Sequence, residues 1–155
     1  IEQNQRFQSF DSTEFSLEPD LKESPGCLRD FQTAFWILEH CFEIKKLQDC
    51  VTAKMFSKKE IASINESYAH IKTLRFFINL ESSANRISFE NQLLLAKKAK
   101  LKASKQSSAV EKFMRTFFLH ASNLSDFNEL IFQAYDDQLT MLKRPYTKNS
   151  LLRLY

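Results

Sequence analysis

The two side chains best suited to gripping an anion, those of Lys22 and Arg29, lie within a short reach of Gly26 and Asp30, and the four form the candidate anion-binding group. They lie in the stretch LEPDLKESPGCLRDFQ, from Leu17 to Gln32. Lys22 and Arg29 are cationic donors that can reach phosphate oxygens, Arg through a planar fork and Lys as a point charge. Gly26 is the only glycine in 155 residues and stands beside Pro25, just ahead of a long amphipathic run. Glycine there supplies a positive φ or lets another group come close to the backbone. A helix starting near Leu28 would turn its first amides toward the same place, as a phosphate requires. The competing reading is structural, with Arg29 and Asp30 as an internal ion pair and Lys22 in solvent.

Other side chains that could do chemistry are dispersed. His40, His70 and His120 fall on three different expected helices, none beside an Asp. That is the pattern of surface or internally bonded histidines and not of metal ligands. Asp136-Asp137 is an adjacent acid pair, but on a helical stretch both carboxylates face solvent. Cys41 and Cys50 have no base near them in sequence to draw off the thiol proton. With Cys27 they make an odd number, without the spacing of a disulfide framework or a zinc site, as in a reduced cytosolic protein. No Gly-rich phosphate loop and no GxSxG elbow occurs. The net charge of +3 is too small to argue for nucleic acid. No apolar run approaches the roughly 20 residues of a membrane span, and no signal peptide is visible. Ile rather than Met at position 1 suits a piece of a longer protein.

Helices must position these residues. Leu28, Phe31, Phe35, Leu38 and Phe42 recur at intervals of three and four, one stripe of a helix running to about Glu43, widened by Trp36 and Ile37. A short helix follows at about Leu47 to Lys54. Ser57-Lys-Lys-Glu60 is a capping box, opening a long helix with Ile61, Ile64, Tyr68, Ile71, Leu74 and Ile78 inward. Residues 82–85 are a plausible stop. Ser88 caps a helix to about Leu101, its apolar share Phe89, Leu93, Leu94 and Ala96. Lys97, Lys98, Lys100, Lys102 and Lys105 gather at its C-terminal end, where the dipole favours cations. A second capping box, Ser108-Ala-Val-Glu111, starts the last helix. Its buried side is Val110, Phe113, Phe117, Leu124, Phe127, Ile131 and Tyr135, and it runs to about Leu142 before Pro145. Asn123 to Asp126 is its weakest point for a kink. The expectation is an all-α, irregular bundle of about five helices with an extended N-terminal lead-in. Helix should cover more than about 60% of residues, twice the ordinary share. Phe35, Leu38, Ile71, Leu74, Phe113 and Phe117 should be deeply buried.

The stretch LEPDLKESPGCLRDFQ resembles the LEPxxKxxPGGLRDxQ segment of the bacterial PII uridylyltransferase/uridylyl-removing enzymes. FQTAFWILEHCF resembles that family's following helix, with its Trp. KTLRFFINL resembles RFALHL, NRISFENQLLLA resembles NRLLFDxQ, and AVEKFMRTFFLHASNLSDFNE resembles VExFMxxYYxxAxxVxxLN. The likeness runs from about Phe15 to Asp137. Two positions depart from it: Cys27 stands where the family has a second Gly, and Asn79 where it usually has His. Glutamine synthetase adenylyltransferase has a similar first segment and matches the later helices less well.

The resemblance implies a domain order. Residues 1–27 would join an upstream nucleotidyltransferase domain, 28–144 would be the helical domain, and 145–155 a tail. The domain would brace the transferase domain and contribute to the nucleotide and PII site through Lys22, Gly26, Arg29 and Asp30, in cytoplasmic nitrogen signalling. Its partners would be that transferase domain and a PII-type signal protein, with neither nucleic acid nor membrane. UTP and Mg²⁺ are implied for the parent enzyme and no cofactor for this chain. It carries neither the paired acids of the transferase centre nor an HD site, and should not catalyse alone. The alternative, from a different class, is a non-catalytic helical protein-interaction module.

Overall fold

In the computed structural model, residues 16–81 and 84–143 are described. They form five helices: α1 (Leu28–Cys41), α2 (Asp49–Thr52), α3 (Lys58–Glu81), α4 (Phe89–Lys98) and α5 (Ala109–Lys143). Among the described residues 69% are helical and no sheet forms, as the periodicity predicts. The lead-in before Ser16 and the tail from Pro145 lie outside the described residues.

The helix starts follow the capping chemistry. The Ser57 amide donates to Glu60 Oε2 at 2.7 Å, and the Glu60 amide donates back to Ser57 Oγ at 3.2 Å. The amides of Asn91 and Glu111 donate to Ser88 Oγ and Ser108 Oγ. The ends fall short of the periodic pattern. Helix α1 stops at Cys41 because Glu43 turns to φ 58, and α4 stops at Lys98 ahead of Lys100 at φ 54. Helix α2 is only four residues. Helix α5, by contrast, passes through Asn123 to Asp126 uninterrupted.

Helix α5 is the spine, with α1, α3 and α4 packed along it. It buries Phe113, Met114, Phe117, Ala121, Leu124, Phe127 and Ile131, against Ile61, Ile64, Ile71, Leu74 and Ile78 from α3. Phe31 of α1 joins the two, stacked on Tyr68 at 3.9 Å and tilted against Phe127 at 5.9 Å. Leu38, Ile71, Leu74, Phe113 and Phe117 are buried as expected, but Phe35 is only half-buried. Ala34 takes the inward position, and Phe35 lies at the rim, its ring parallel to Phe31 at 6.3 Å.

Helix α4 is rolled relative to the expected stripe. Phe89 and Leu93 are 61% and 49% exposed, while Gln92, Leu95 and Ala96 are buried. The inward Gln92 is answered there, its Nε2 donating to the Leu17 carbonyl at 2.7 Å and to the Ile87 carbonyl at 3.4 Å. The same join includes one antiparallel bridge between Asp20 and Arg86, with the Leu21 amide on Asn85 O and the Ile87 amide on Pro19 O. It fastens the 17–27 stretch to the segment that leads into α4.

Candidate functional site

The 17–30 stretch is a self-bonded double turn. Asp20 Oδ1 accepts from the amides of Lys22 and Glu23 at 2.8 and 2.9 Å, and Ser24 Oγ accepts from the Asp20 amide at 2.9 Å. Gly26 adopts φ 70, and a Cβ there would overlap the Ala121 carbonyl of α5. Both uses of glycine, left-handed backbone and close approach, therefore occur, and the approaching group is a helix backbone. Asp30 is fully buried, and its Oδ2 accepts from the Gly26 amide at 2.8 Å. It sits in the first turn of α1, where the helix dipole favours a carboxylate.

This geometry corrects two expectations. The first-turn amides of α1 are occupied, Leu28 N by the Leu21 carbonyl at 3.1 Å and Arg29 N by that of Lys22 at 2.9 Å. Arg29 does not pair with Asp30. Its Nη2 meets Glu23 Oε1 at 2.8 Å, and Lys22 Nζ meets the same oxygen at 3.2 Å. Burial would raise the Glu23 carboxyl, but the hydrogen bonds and charges of Arg29 and Lys22 outweigh it and hold it below the usual carboxylate range. Two cations share one carboxylate, and Arg29 Nε is buried without a hydrogen-bond partner. Glu23, Asp20 and Ser24 are the working residues that the sequence reading missed. The signal was there, since an Asp side chain readily bonds the backbone amide two residues on, as Asp20 does with Lys22.

Cys27 is fully buried, so the side chain that replaces the family's second Gly belongs to the core. Asn79 is exposed on α3. Burial, and next the neighbouring Asp49, push the Cys50 thiol up, the opposite of what a nucleophile needs. Asp136 and Asp137 are exposed on α5. Among the described residues no three of His, Cys, Asp and Glu converge where a cation could sit. The described residues therefore offer no donor set for the Mg²⁺ that the resemblance implies for the parent enzyme.

Two of the three histidines are not isolated. His70 of α3 and His120 of α5 stack at 4.2 Å between ring centroids. His120 Nδ1 lies 3.0 Å from Ser67 Oγ, which also accepts from Asn123 Nδ2 at 2.9 Å. Burial, then the charge of His120, lower His70 to about 4. Burial lowers His120 too, against the opposing pull of Glu66. Free imidazole binds its proton near 6.5, so the unfolded chain takes up protons that the folded pair refuses. Stability from this pair is whole above pH 6.5 and falls as the pH drops toward about 4. Melts of His70→Gln across that window should slope less steeply than those of the wild type. An identical slope would show that the pair does not govern acid sensitivity.

Fold and site together define an all-α domain whose candidate anion-binding residues gather in one turn at the start of the bundle. A family profile described as GlnD PII-uridylyltransferase matches residues 1–132. The chain belongs to that family. It is 30% identical over 140 residues to a bifunctional uridylyltransferase/uridylyl-removing enzyme of Haemophilus influenzae, covering 89% of this chain and 16% of the relative. The enzymes of that name from Pasteurella multocida and Hydrogenovibrio crunogenus are 30% and 28% identical, over 93% and 89% of this chain. The chain thus spans about one sixth of the length of the curated relatives it matches. No solved structure matches it. No helix among the described residues is long and apolar enough to cross a membrane.

Proposed function

We propose that this chain is the helical domain of a PII uridylyltransferase-type enzyme of cytoplasmic nitrogen signalling. There it braces the nucleotidyltransferase domain, adds a wall to the UTP site and helps to position the PII protein. The observation that carries the reading is the Lys22–Glu23–Arg29 cluster. It sets two cationic side chains, Lys22 and Arg29, on one carboxylate and leaves the Arg29 Nε donor unanswered. In this reading Lys22 and Arg29 face the nucleotide phosphates, and Gly26 and Asp30 hold the turn that presents them. The acid pair and the Mg²⁺ would come from the transferase domain.

In the full-length parent, Arg29→Ala should lower the uridylylation rate about tenfold or more, because a hydrogen bond to a charged group is worth roughly 1.5–3 kcal/mol. Its melting temperature should stay close to wild type, since a partly exposed ion pair contributes at most about 1 kcal/mol to stability. A stable variant with undiminished rate removes the turn from the active site and leaves the interaction-module reading. An early-melting variant, inactive only in proportion, makes Arg29 structural.

A further inference from the structure

One turn beyond Arg29, α1 forms one side of an aromatic recess of about 370 Å³. Among the described residues its rings and apolar walls are Phe31, Phe35 and Trp36 of α1, Leu47 of the connection after it, and Tyr68 of α3. Small-ligand pockets begin at about 300 Å³, so a nucleoside fits the space. Tyr68 is stacked on Phe31 at 3.9 Å, and Lys72 Nζ stands 5.4 Å from its ring centroid, which makes it a fixed wall. Phe35 is half-buried with its ring parallel to Phe31, and Trp36 is 55% exposed. Phe35 and Trp36 therefore keep ring surface on which a planar ligand can lie.

Two amide side chains, Gln32 and Asn65, line the same recess, and both residues are exposed. Asn65 Nδ2 donates to the Ile61 carbonyl at 3.0 Å, which fixes the amide and leaves Oδ1 as an acceptor. The Gln32 amide can donate or accept. Stacking on aromatic faces takes any base and does not choose among them. A hydrogen-bonding edge does choose, because a mismatched partner is left unpaired. Uracil presents an N3–H donor between two carbonyl acceptors. Cytosine N3 is itself an acceptor and would meet Asn65 Oδ1 without a proton between them.

The recess also lies in line with the cations of the turn. Gln32 and Trp36 follow Arg29 at intervals of three and seven, along one side of α1. The rise of the helix sets Gln32 about 4.5 Å and Trp36 about 10 Å beyond Arg29. That interval suits a ribose lying between phosphates and base. We propose that the recess holds the uracil base of the nucleotide, lying on Phe35 and Trp36, with its N3–H donating to Asn65 Oδ1 and a ring carbonyl accepting from the Gln32 amide. The inference rests on the nucleotide reading of Lys22 and Arg29 and adds to it the residues that select the base. An aromatic side chain of a partner protein would use the rings and leave both amides idle.

Trp36 is the only tryptophan in the chain, so its indole N–H gives one NMR resonance that reports on the recess. Titrating the 155-residue chain with uridine should move that resonance saturably, with a Kd in the millimolar range of a small ligand with few contacts. Cytidine and N3-methyluridine should bind about tenfold more weakly, each lacking the N3–H donor. Uridine should be weakened as much by Asn65→Leu, an exposed position at which a melt verifies the fold. In the full-length parent the same variant should lower the preference for UTP over CTP about tenfold, a ratio that a merely structural loss would not move. A Trp36 resonance unmoved by uridine at roughly 10 mM, or moved equally by all three nucleosides, overturns the proposal. So does an unchanged UTP preference in Asn65→Leu. The nucleosides carry no phosphate, so their result is separate from that of Arg29→Ala. A silent recess beside a slowed Arg29→Ala removes the base site and keeps the phosphate contact. A responsive recess beside an unaffected Arg29→Ala keeps the base site and removes the turn.

Discussion

Gly26→Ala should destabilise the protein by roughly 2–5 kcal/mol, because two penalties fall on one atom. A left-handed backbone costs a residue with a Cβ about 1–2 kcal/mol, and overpacking a tight contact adds about 1–3 kcal/mol. Here the new methyl meets the Ala121 carbonyl, which belongs to a helix backbone and cannot swing aside as a side chain could. For a domain of this size the fall in Tm is on the order of 10 °C. Lys22→Ala, four residues earlier in the same turn, removes only a partly exposed ion pair and should melt within a few degrees of wild type. Calorimetry of the two variants decides the matter. If Gly26→Ala melts with Lys22→Ala, the turn and α5 are not packed as described, and a loss of activity at Gly26 would have to be read as a loss of binding.

The second large effect is expected in the middle of α5. Phe117 is fully buried and meets Phe118 edge-on at 5.3 Å between ring centroids. Truncation to Ala removes the ring's transfer energy and leaves a hole that three packed helices can close only in part, a loss of roughly 3–5 kcal/mol. Phe89→Ala is the control. It deletes the same group at a position 61% exposed, where substitutions stay within about 0.5 kcal/mol. Urea melts giving equal midpoints for both would mean that the buried face of α5 is wrongly assigned.

Much of this bundle is determined by local chemistry that a sequence displays. Hydrophobic spacing set the inward faces of α3 and α5, and the serines at 57, 88 and 108 set three helix starts. Those signals act within one or two turns, so they survive without knowledge of the neighbours. The family, too, was legible, from the motifs around Gly26 and along the later helices. What α4 turns inward was not legible. Phe89 is the more apolar choice, but Gln92 goes inside, where its Nε2 donates to the carbonyls of Leu17, 75 residues earlier, and of Ile87. Only tertiary structure decides such a case, since a polar side chain can be buried only where acceptors meet it. The same holds at the turn. Sequence marked Lys22, Gly26, Arg29 and Asp30 as a group, and packing divided their work. Gly26 faces the backbone of α5, Asp30 holds the Gly26 amide, and Lys22 and Arg29 share Glu23. His70 and His120 lie fifty residues apart and became a stacked pair only because α3 and α5 cross where both project. Side-chain spacing within a helix carries no record of such a meeting; it is set by how two helices register against each other.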